Sequence, residues 1–68
     1  MLSNRELQVL ELVRNGYSNV AVAERLNLSV MTAKNHMQNI RRKLNARTRG
    51  QAVAEARRQG LLQGSQEE

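Results

Sequence analysis

Apolar residues recur at the spacing of an amphipathic helix in four stretches of the chain. In the first stretch, the apolar positions between residues 7 and 13 share one helical face. Ser3 and Glu6 precede them with the S-x-x-E spacing of a capping box. Gly16 follows and can adopt the left-handed conformation that ends a helix. This pattern predicts a helix over about residues 4–15.

Two further helices are predicted close together, over about residues 19–26 and 30–44. Ser18 and Ser29 stand at the N-cap positions of these helices. Asn27 lies between them and is one of the few residue types that tolerate a positive φ. The third helix is expected to bury a narrow stripe with spacings of 4, 3 and 4, formed by Ala33, Met37, Ile40 and Leu44.

The third predicted helix has an unusual polar face. No carboxylate occurs between residues 30 and 44, whereas a helix that only needs solubility usually mixes charges of both signs. Lys34, His36 and Arg41 are expected on the flanks of the buried stripe. The residues expected opposite the stripe are Met31, Asn35, Gln38, Asn39 and Arg42.

A fourth helix is predicted over about residues 49–59, with Thr48 and Gln51 as a second capping box and Gly60 at its end. Leu61 and Leu62 are expected to fold back on the core, and residues 63–68 are expected to form a disordered tail behind a domain of residues 1–62. The predicted fold class is all-α, with four helices. This helix has a face of small residues, formed by Ala52, Val53 and Ala56. The face is expected either to complete the core or to contact a second copy of the chain.

The second and third helices together have the features of a helix-turn-helix. Ala23 provides the small residue where the helices cross, and Asn27 provides the residue with positive φ four positions later. Val22, Leu26 and Leu28 supply apolar contacts on both sides of the turn. The alternative is an ordinary helical hairpin in a small bundle. In a helix-turn-helix, the second helix enters the DNA major groove.

Composition narrows the function classes. The 68 residues contain 11 Lys and Arg against 6 Asp and Glu, a formal net charge of +5. This charge favours a polyanionic partner, although a solvated basic surface would give the same total. The chain contains no cysteine, which excludes disulfides and cysteine-based zinc fingers. It also lacks a membrane-length apolar run or a secretion signal, so a cytoplasmic protein is expected, associated with the nucleoid if it binds DNA.

Five ordered motifs resemble the LuxR-type, or GerE-like, DNA-binding domain of bacterial transcription regulators. Residues 2–10 (LSNRELQVL) are similar to the family opening L-[ST]-x-R-E-x-x-V-L, and residues 16–19 (GYSN) to G-x-S-N. Residues 22–29 (VAERLNLS) resemble I-A-x-x-L-x-[LIV]-S, and residues 32–44 (TAKNHMQNIRRKL) resemble T-V-K-x-H-x-x-N-I-x-x-K-L. Residues 48–52 (TRGQA) are similar to the closing S-R-x-[EQ]-A.

This resemblance implies that the chain binds double-stranded DNA as the output domain of a transcription regulator. It implies base contacts by Lys34, Asn35 and Gln38. Independently of the family, Asn35 and Gln38 are expected to face outward and could pair with adenine, while Lys34 could contact guanine or hold a phosphate. The resemblance further implies a homodimer through the last helix and allows a contact with RNA polymerase. The residues expected to contact phosphates are Ser18, Asn19, Ser29, Thr32, Arg41 and Arg42.

Several other side chains have two interpretations. Met31 is expected either to contact a thymine methyl group or to be partly buried. Lys43 and Arg49 are expected to form internal ion pairs rather than DNA contacts. His36 is expected to pack or hydrogen-bond within the domain, since no metal-ligating residue stands near it in the sequence.

No nucleophile with an adjacent base, carboxylate pair or glycine-rich phosphate loop is present, so neither an enzyme nor a cofactor is expected. Three other functions remain compatible with a small basic helical domain. They are a protein-interaction domain for an acidic partner, a polymerase-dependent region of a sigma-factor-like protein, and a membrane-surface helix. The last is the least favoured, because the compact fold uses the apolar stripes and no large aromatic residue is available for a membrane surface.

Overall fold

The computed structural model describes residues 1–62, and the predicted disordered tail at 63–68 lies outside the described residues. It contains four helices, α1 (Asn4–Arg14), α2 (Asn19–Leu26), α3 (Val30–Lys43) and α4 (Arg49–Arg58). The all-α, four-helix fold is therefore confirmed. Three helices end one residue earlier than predicted, because Asn15, Leu44 and Gln59 are C-cap residues.

Each helix begins at a hydroxyl residue, as predicted. The Ser3 hydroxyl accepts a hydrogen bond from the Glu6 N–H, while the Glu6 carboxylate accepts one from the Ser3 N–H, so the capping box is complete. Thr48 also caps α4 by accepting from the Gln51 N–H. The second capping box is wrong in its other half, because the Gln51 side chain accepts from the Arg47 N–H instead of the Thr48 N–H.

Each helix ends in the same way, at a residue with positive φ followed by an N–H that bonds back five residues. The positive-φ residues are Gly16, Asn27, Asn45 and Gly60. After Asn27, the Leu28 N–H donates to the Ala23 carbonyl at 2.8 Å, which makes the tight turn between α2 and α3. Asn45 has a φ of 56°, and its role was not predicted, although the argument applied to Asn27 would have identified it.

The core lies where α1 packs against the other three helices, and α3 packs in turn against α2 and α4. The four stripe residues predicted for α3 are all buried, which fixes the orientation of that helix. Leu62 is buried and Leu61 is partly buried against the core, as expected. The buried apolar residues are Leu2, Val9, Leu10, Val13, Val22, Ala23, Ala33, Met37, Ile40, Leu44, Ala52, Ala56 and Leu62.

The structure distinguishes between the two roles predicted for the small-residue face of α4, completion of the core and contact with a second copy. Ala52 and Ala56 have no exposed surface, and Val53 is partly buried against the core. Their small side chains let α4 approach the rest of the domain closely. Ala52 and Ala56 therefore complete the core of one chain and are unavailable to a second copy.

Candidate nucleic-acid interface

The outward face of α3 carries the residues predicted to contact bases. Lys34, Asn35 and Gln38 are exposed, whereas Ala33 and Met37 on the opposite side are buried. The 14-residue length of α3 and its packing against three other helices make this face a rigid one. Within residues 1–62, the three polar side chains make no hydrogen bond or ion pair. Their amide and ammonium groups are therefore available to a ligand.

The basic C-terminal turn of α3 is different, because its cations already have partners. The Arg41 guanidinium donates to the Arg47 carbonyl at 2.8 Å, in the turn that leads to α4. The Arg42 guanidinium donates to the Asn39 side-chain oxygen at 2.8 Å, and Arg42 remains exposed while Asn39 is half-buried. Asn39 was expected to face outward, opposite the buried stripe, so the structure places it closer to the domain than predicted.

Lys43 forms the internal ion pair expected of it, and its partner is Glu6. The Lys43 ammonium lies 2.9 Å from the Glu6 carboxylate, which joins the end of α3 to the start of α1. Glu6 is only 5% exposed and is the one charged or polar residue buried in the described chain. Burial alone would raise the pKa of Glu6, but hydrogen bonds from Lys43 and Ser3 and the charge of Lys43 outweigh it and lower the pKa.

The sequence does not identify Glu6 as the partner of Lys43, because 37 residues separate the two side chains. The sequence indicated only the role of Glu6 in the capping box. Arg49 is also held internally, but the prediction of an ion pair is wrong, because its acceptor is not a carboxylate. Its guanidinium donates to the backbone carbonyl of Tyr17, a contact that connects α4 to the segment before α2.

The predicted phosphate contacts at the helix starts are placed at the surface. Ser18 and Ser29 are exposed, and Asn19 and Thr32 are half-buried. Both serine hydroxyls are used as caps, since they accept from the Ala21 and Thr32 N–H groups at 3.1 and 3.0 Å. The Ser29 hydroxyl also donates to the Thr32 hydroxyl. A phosphate would therefore meet the remaining amides and the positive end of each helix dipole more readily than these hydroxyls.

Tyr17 and Arg25 form a contact that the sequence did not reveal. The Arg25 guanidinium donates to the Tyr17 hydroxyl at 2.9 Å and lies 5.8 Å from the centre of its ring. This cation–π contact holds the start of the helix-turn-helix to the last turn of α2.

His36 is half-buried on the flank of α3, and no metal-binding group of three or more His, Cys, Asp or Glu residues occurs within residues 1–62.

Large apolar side chains are exposed near the starts of α2 and α3. Val20 is 54% exposed, Val30 is 41% exposed and Met31 is 62% exposed. Met31 is thus outside the core, and the interpretation that it is partly buried is wrong. No helix in the described part of the chain combines the length and apolar character of a membrane span.

A comparison with known proteins gives a consistent result. Residues 1–56 match the family model described as "Bacterial regulatory proteins, luxR family" (GerE). The chain is 45% identical over 62 residues to the transcriptional regulatory protein DegU of Brevibacillus brevis, which covers 91% of this chain and 26% of DegU. It is 46% identical over 61 residues to the HTH-type transcriptional activator RamA of Corynebacterium glutamicum, covering 90% of this chain and 22% of RamA.

Solved structures show the same fold. The transcription factor GerE superimposes with a TM-score of 0.86 at 34% identity, covering 91% of this chain and 92% of that one. The response regulator ChrA of a heme-sensing two-component system gives a TM-score of 0.88 at 37% identity, covering 91% of this chain and 31% of ChrA. The chain spans about a quarter of the length of the curated relatives DegU and RamA. With its ordered motifs, its exposed α3 face and these matches, the chain belongs to the luxR family of bacterial regulatory proteins.

Proposed function

We propose that this domain binds specific sequences of double-stranded DNA by inserting α3 into the major groove. The observation that carries the proposal is the exposed, unpaired row of polar side chains on α3, held rigidly by a fully buried opposite face. An α-helix fits the major groove, where each base pair presents a distinct pattern of donors and acceptors. The membership in a family of bacterial regulatory proteins supports a role in transcription.

Three residues on this face are proposed to contact bases. Asn35 and Gln38 each carry an amide that can donate to N7 and accept from the N6 amino group of adenine. They are separated by three positions, so they occupy neighbouring turns of one face of α3. Lys34 can donate to guanine, or to a phosphate at the edge of the groove.

Phosphate contacts are proposed to set the position of α3 in the groove. The starts of α2 and α3, near Ser18 and Ser29, present free amides and positive dipole ends. Arg42 is exposed on the same side of α3 as Gln38, four residues further along, and its contact with Asn39 lies at the surface, where a phosphate can replace it. The net charge of +5 adds long-range attraction to DNA.

The rest of the regulator is proposed from the relatives. The chain matches only 30% of the response regulator VraR of Staphylococcus aureus, so a longer protein could carry a separate signal-receiving part. A homodimer through α4 would need the exposed row of Gly50, Ala54 and Arg57 next to Val53, because Ala52 and Ala56 are buried. We also propose that the regulator contacts RNA polymerase and that it acts in the cytoplasm, bound to chromosomal DNA.

The test begins with selection of bound oligonucleotides from a random pool, followed by fluorescence titration of the selected and scrambled duplexes at several salt concentrations. If about five phosphates are neutralised, log K should fall with log salt with a slope of about −4 to −5. The selected duplex should bind more tightly at every salt concentration. Equal affinity for both duplexes would reject sequence-specific binding and favour a domain with another acidic partner.

A further inference from the structure

Exposed apolar side chains are common on protein surfaces, so their position decides whether they have a role. Met31 retains 62% of its surface exposed, on the second residue of α3. It precedes Asn35 by four residues and Gln38 by seven, and these spacings place all three side chains in one row along the helix. If Asn35 and Gln38 face DNA, Met31 faces it too.

The place of Met31 along the helix is also informative. It lies one turn before Asn35, about 6 Å along the helix axis. The N-terminal part of a recognition helix is the part that contacts base edges in helix-turn-helix proteins. Val30 immediately precedes Met31, so it lies about 100° around the helix from the row that contains Met31.

The chemistry of Met31 restricts the group that it can contact. Its thioether chain donates no hydrogen bond and accepts only weakly, so it does not distinguish the polar edges of bases. The C5-methyl group of thymine is the apolar group that a base pair presents in the major groove. An unbranched, polarisable side chain adapts readily to such a surface.

We propose that Met31 is a specificity-determining residue that packs against the C5-methyl group of one thymine in the bound DNA. This proposal depends on the proposed DNA-binding function and adds a base preference to it. The axial distance from Asn35 corresponds to about two base pairs at 3.4 Å each. The thymine should therefore lie within about two base pairs of the base contacted by Asn35.

The experiment replaces each thymine of the selected duplex in turn by deoxyuridine, which keeps the base pair and its polar edge but lacks the methyl group. Burial of one methyl group corresponds to about fourfold in affinity. The protein should lose about fourfold at one thymine and show little change at the others. Met31→Ala should bind the unmodified duplex with an affinity lower by about fourfold or more. It should also lose the sensitivity to deoxyuridine at the thymine that affects the unmodified protein.

Two variants make the result specific to Met31. Met31→Leu keeps an apolar side chain and should retain the deoxyuridine effect. Val20→Ala shortens another exposed apolar residue, on α2, and should leave the ratio of thymine to deoxyuridine affinities unchanged. Circular dichroism of each variant checks that the helices are retained.

The outcomes separate the two proposals. The Met31 assignment is overturned if Met31→Ala keeps the same deoxyuridine sensitivity, if no thymine is sensitive, or if the selected site lacks thymine while its preference over the scrambled duplex persists. Equal binding of selected and scrambled duplexes by the unmodified protein would overturn the base-specific function and the Met31 assignment together.

Discussion

The stretch of α3 from Lys34 to Gln38 and the last turns of the helix both carry polar side chains, but these side chains have different partners. In the stretch from Lys34 to Gln38, the side chains of Lys34, Asn35 and Gln38 are exposed and make no hydrogen bond within residues 1–62. In the last turns, Arg41 and Lys43 bond to groups outside α3. The stretch from Lys34 to Gln38 is thus available to a ligand, whereas Arg41 and Lys43 attach the end of the helix to its own domain.

The difference shows that cationic residues cannot be assigned to DNA by counting them. The sequence from 41 to 43 is a continuous basic run that looks like one phosphate-binding strip. In the structure, Lys43 neutralises a buried carboxylate and Arg41 holds the turn before α4, whereas Arg42 bonds only to Asn39 of its own helix. Four predictions test this division, from the largest expected effect to the smallest.

Removal of Glu6 should have the largest effect, because it acts on the attachment of α3 rather than on its outward face. Glu6→Ala removes a buried carboxylate that accepts from both the Ser3 N–H and the Lys43 ammonium, and it should lower the free energy of unfolding by about 2–4 kcal/mol. Urea denaturation followed by circular dichroism measures this loss. Glu55→Ala is the control, since it removes an ion pair with the exposed Arg58 and should change stability little. Equal losses in both variants would contradict the structural role of the Glu6–Lys43 pair.

Gln38→Ala should change specificity without changing stability. Because the side chain has no partner in the described chain, its removal should leave the unfolding midpoint nearly unchanged. The preference for one base pair should fall by about 1–3 kcal/mol, measured as the affinity ratio for duplexes that differ at that position. An equal loss of affinity for selected and scrambled duplexes would instead assign Gln38 to the phosphate contacts.

Arg41 and Arg42 form a matched pair for the basic turn. Arg42→Ala should weaken binding to all sequences and reduce the salt slope by about 0.9, the effect of one lost phosphate contact. Arg41→Ala should keep the slope and lower the free energy of unfolding by about 0.5–1.5 kcal/mol, through loss of its bond to the Arg47 carbonyl. Salt titrations of both variants, with urea denaturation alongside, decide between these roles. The division within α3 is wrong if Arg41→Ala flattens the slope as much as Arg42→Ala does.

The pH dependence of stability should show the smallest effect. The pKa of Glu6 lies below its ordinary value of 4.5 in the folded protein, so the folded state binds this proton less readily than the unfolded chain. The ionised Glu6 carboxylate therefore contributes its full stabilisation to the folded protein above pH 4.5. This stabilisation is lost as the pH falls through the lower pKa that Glu6 has in the folded state. Urea denaturation at a series of pH values from neutral to acidic should show this loss in the unmodified protein and a shallower one in Glu6→Gln. Parallel curves for the two proteins would show that Glu6 is not stabilised as a carboxylate.

Much of the fold follows from local sequence. The capping serines, the apolar spacing and the residues that accept positive φ act within one or two turns, so they predicted four helices to within one residue at each end. The same periodicity placed Asn35 and Gln38 opposite the buried stripe and Lys34 on its flank, and all three are exposed. The end of α3, where Asn45 adopts a positive φ, also depends on local sequence, although it was not predicted.

The contacts between distant residues could not be obtained in this way. Periodicity assigns a residue to a face of its own helix but does not say which element covers that face. Ala52 and Ala56 were therefore equally compatible with a core and with a dimer, until α1 and α3 were placed against α4. The ion pair predicted for Arg49 was wrong for the same reason, because a backbone carbonyl carries no side-chain signal in the sequence.

The sequence by itself determined where each helix starts and stops and which side of α3 is polar, because hydrogen bonds and side-chain spacing within a helix depend on neighbouring residues. The tertiary structure decided which cations of α3 have partners elsewhere in the domain and that Met31 is exposed. These properties depend on what approaches each side chain from elsewhere in the chain, as Glu6 approaches Lys43 across 37 residues.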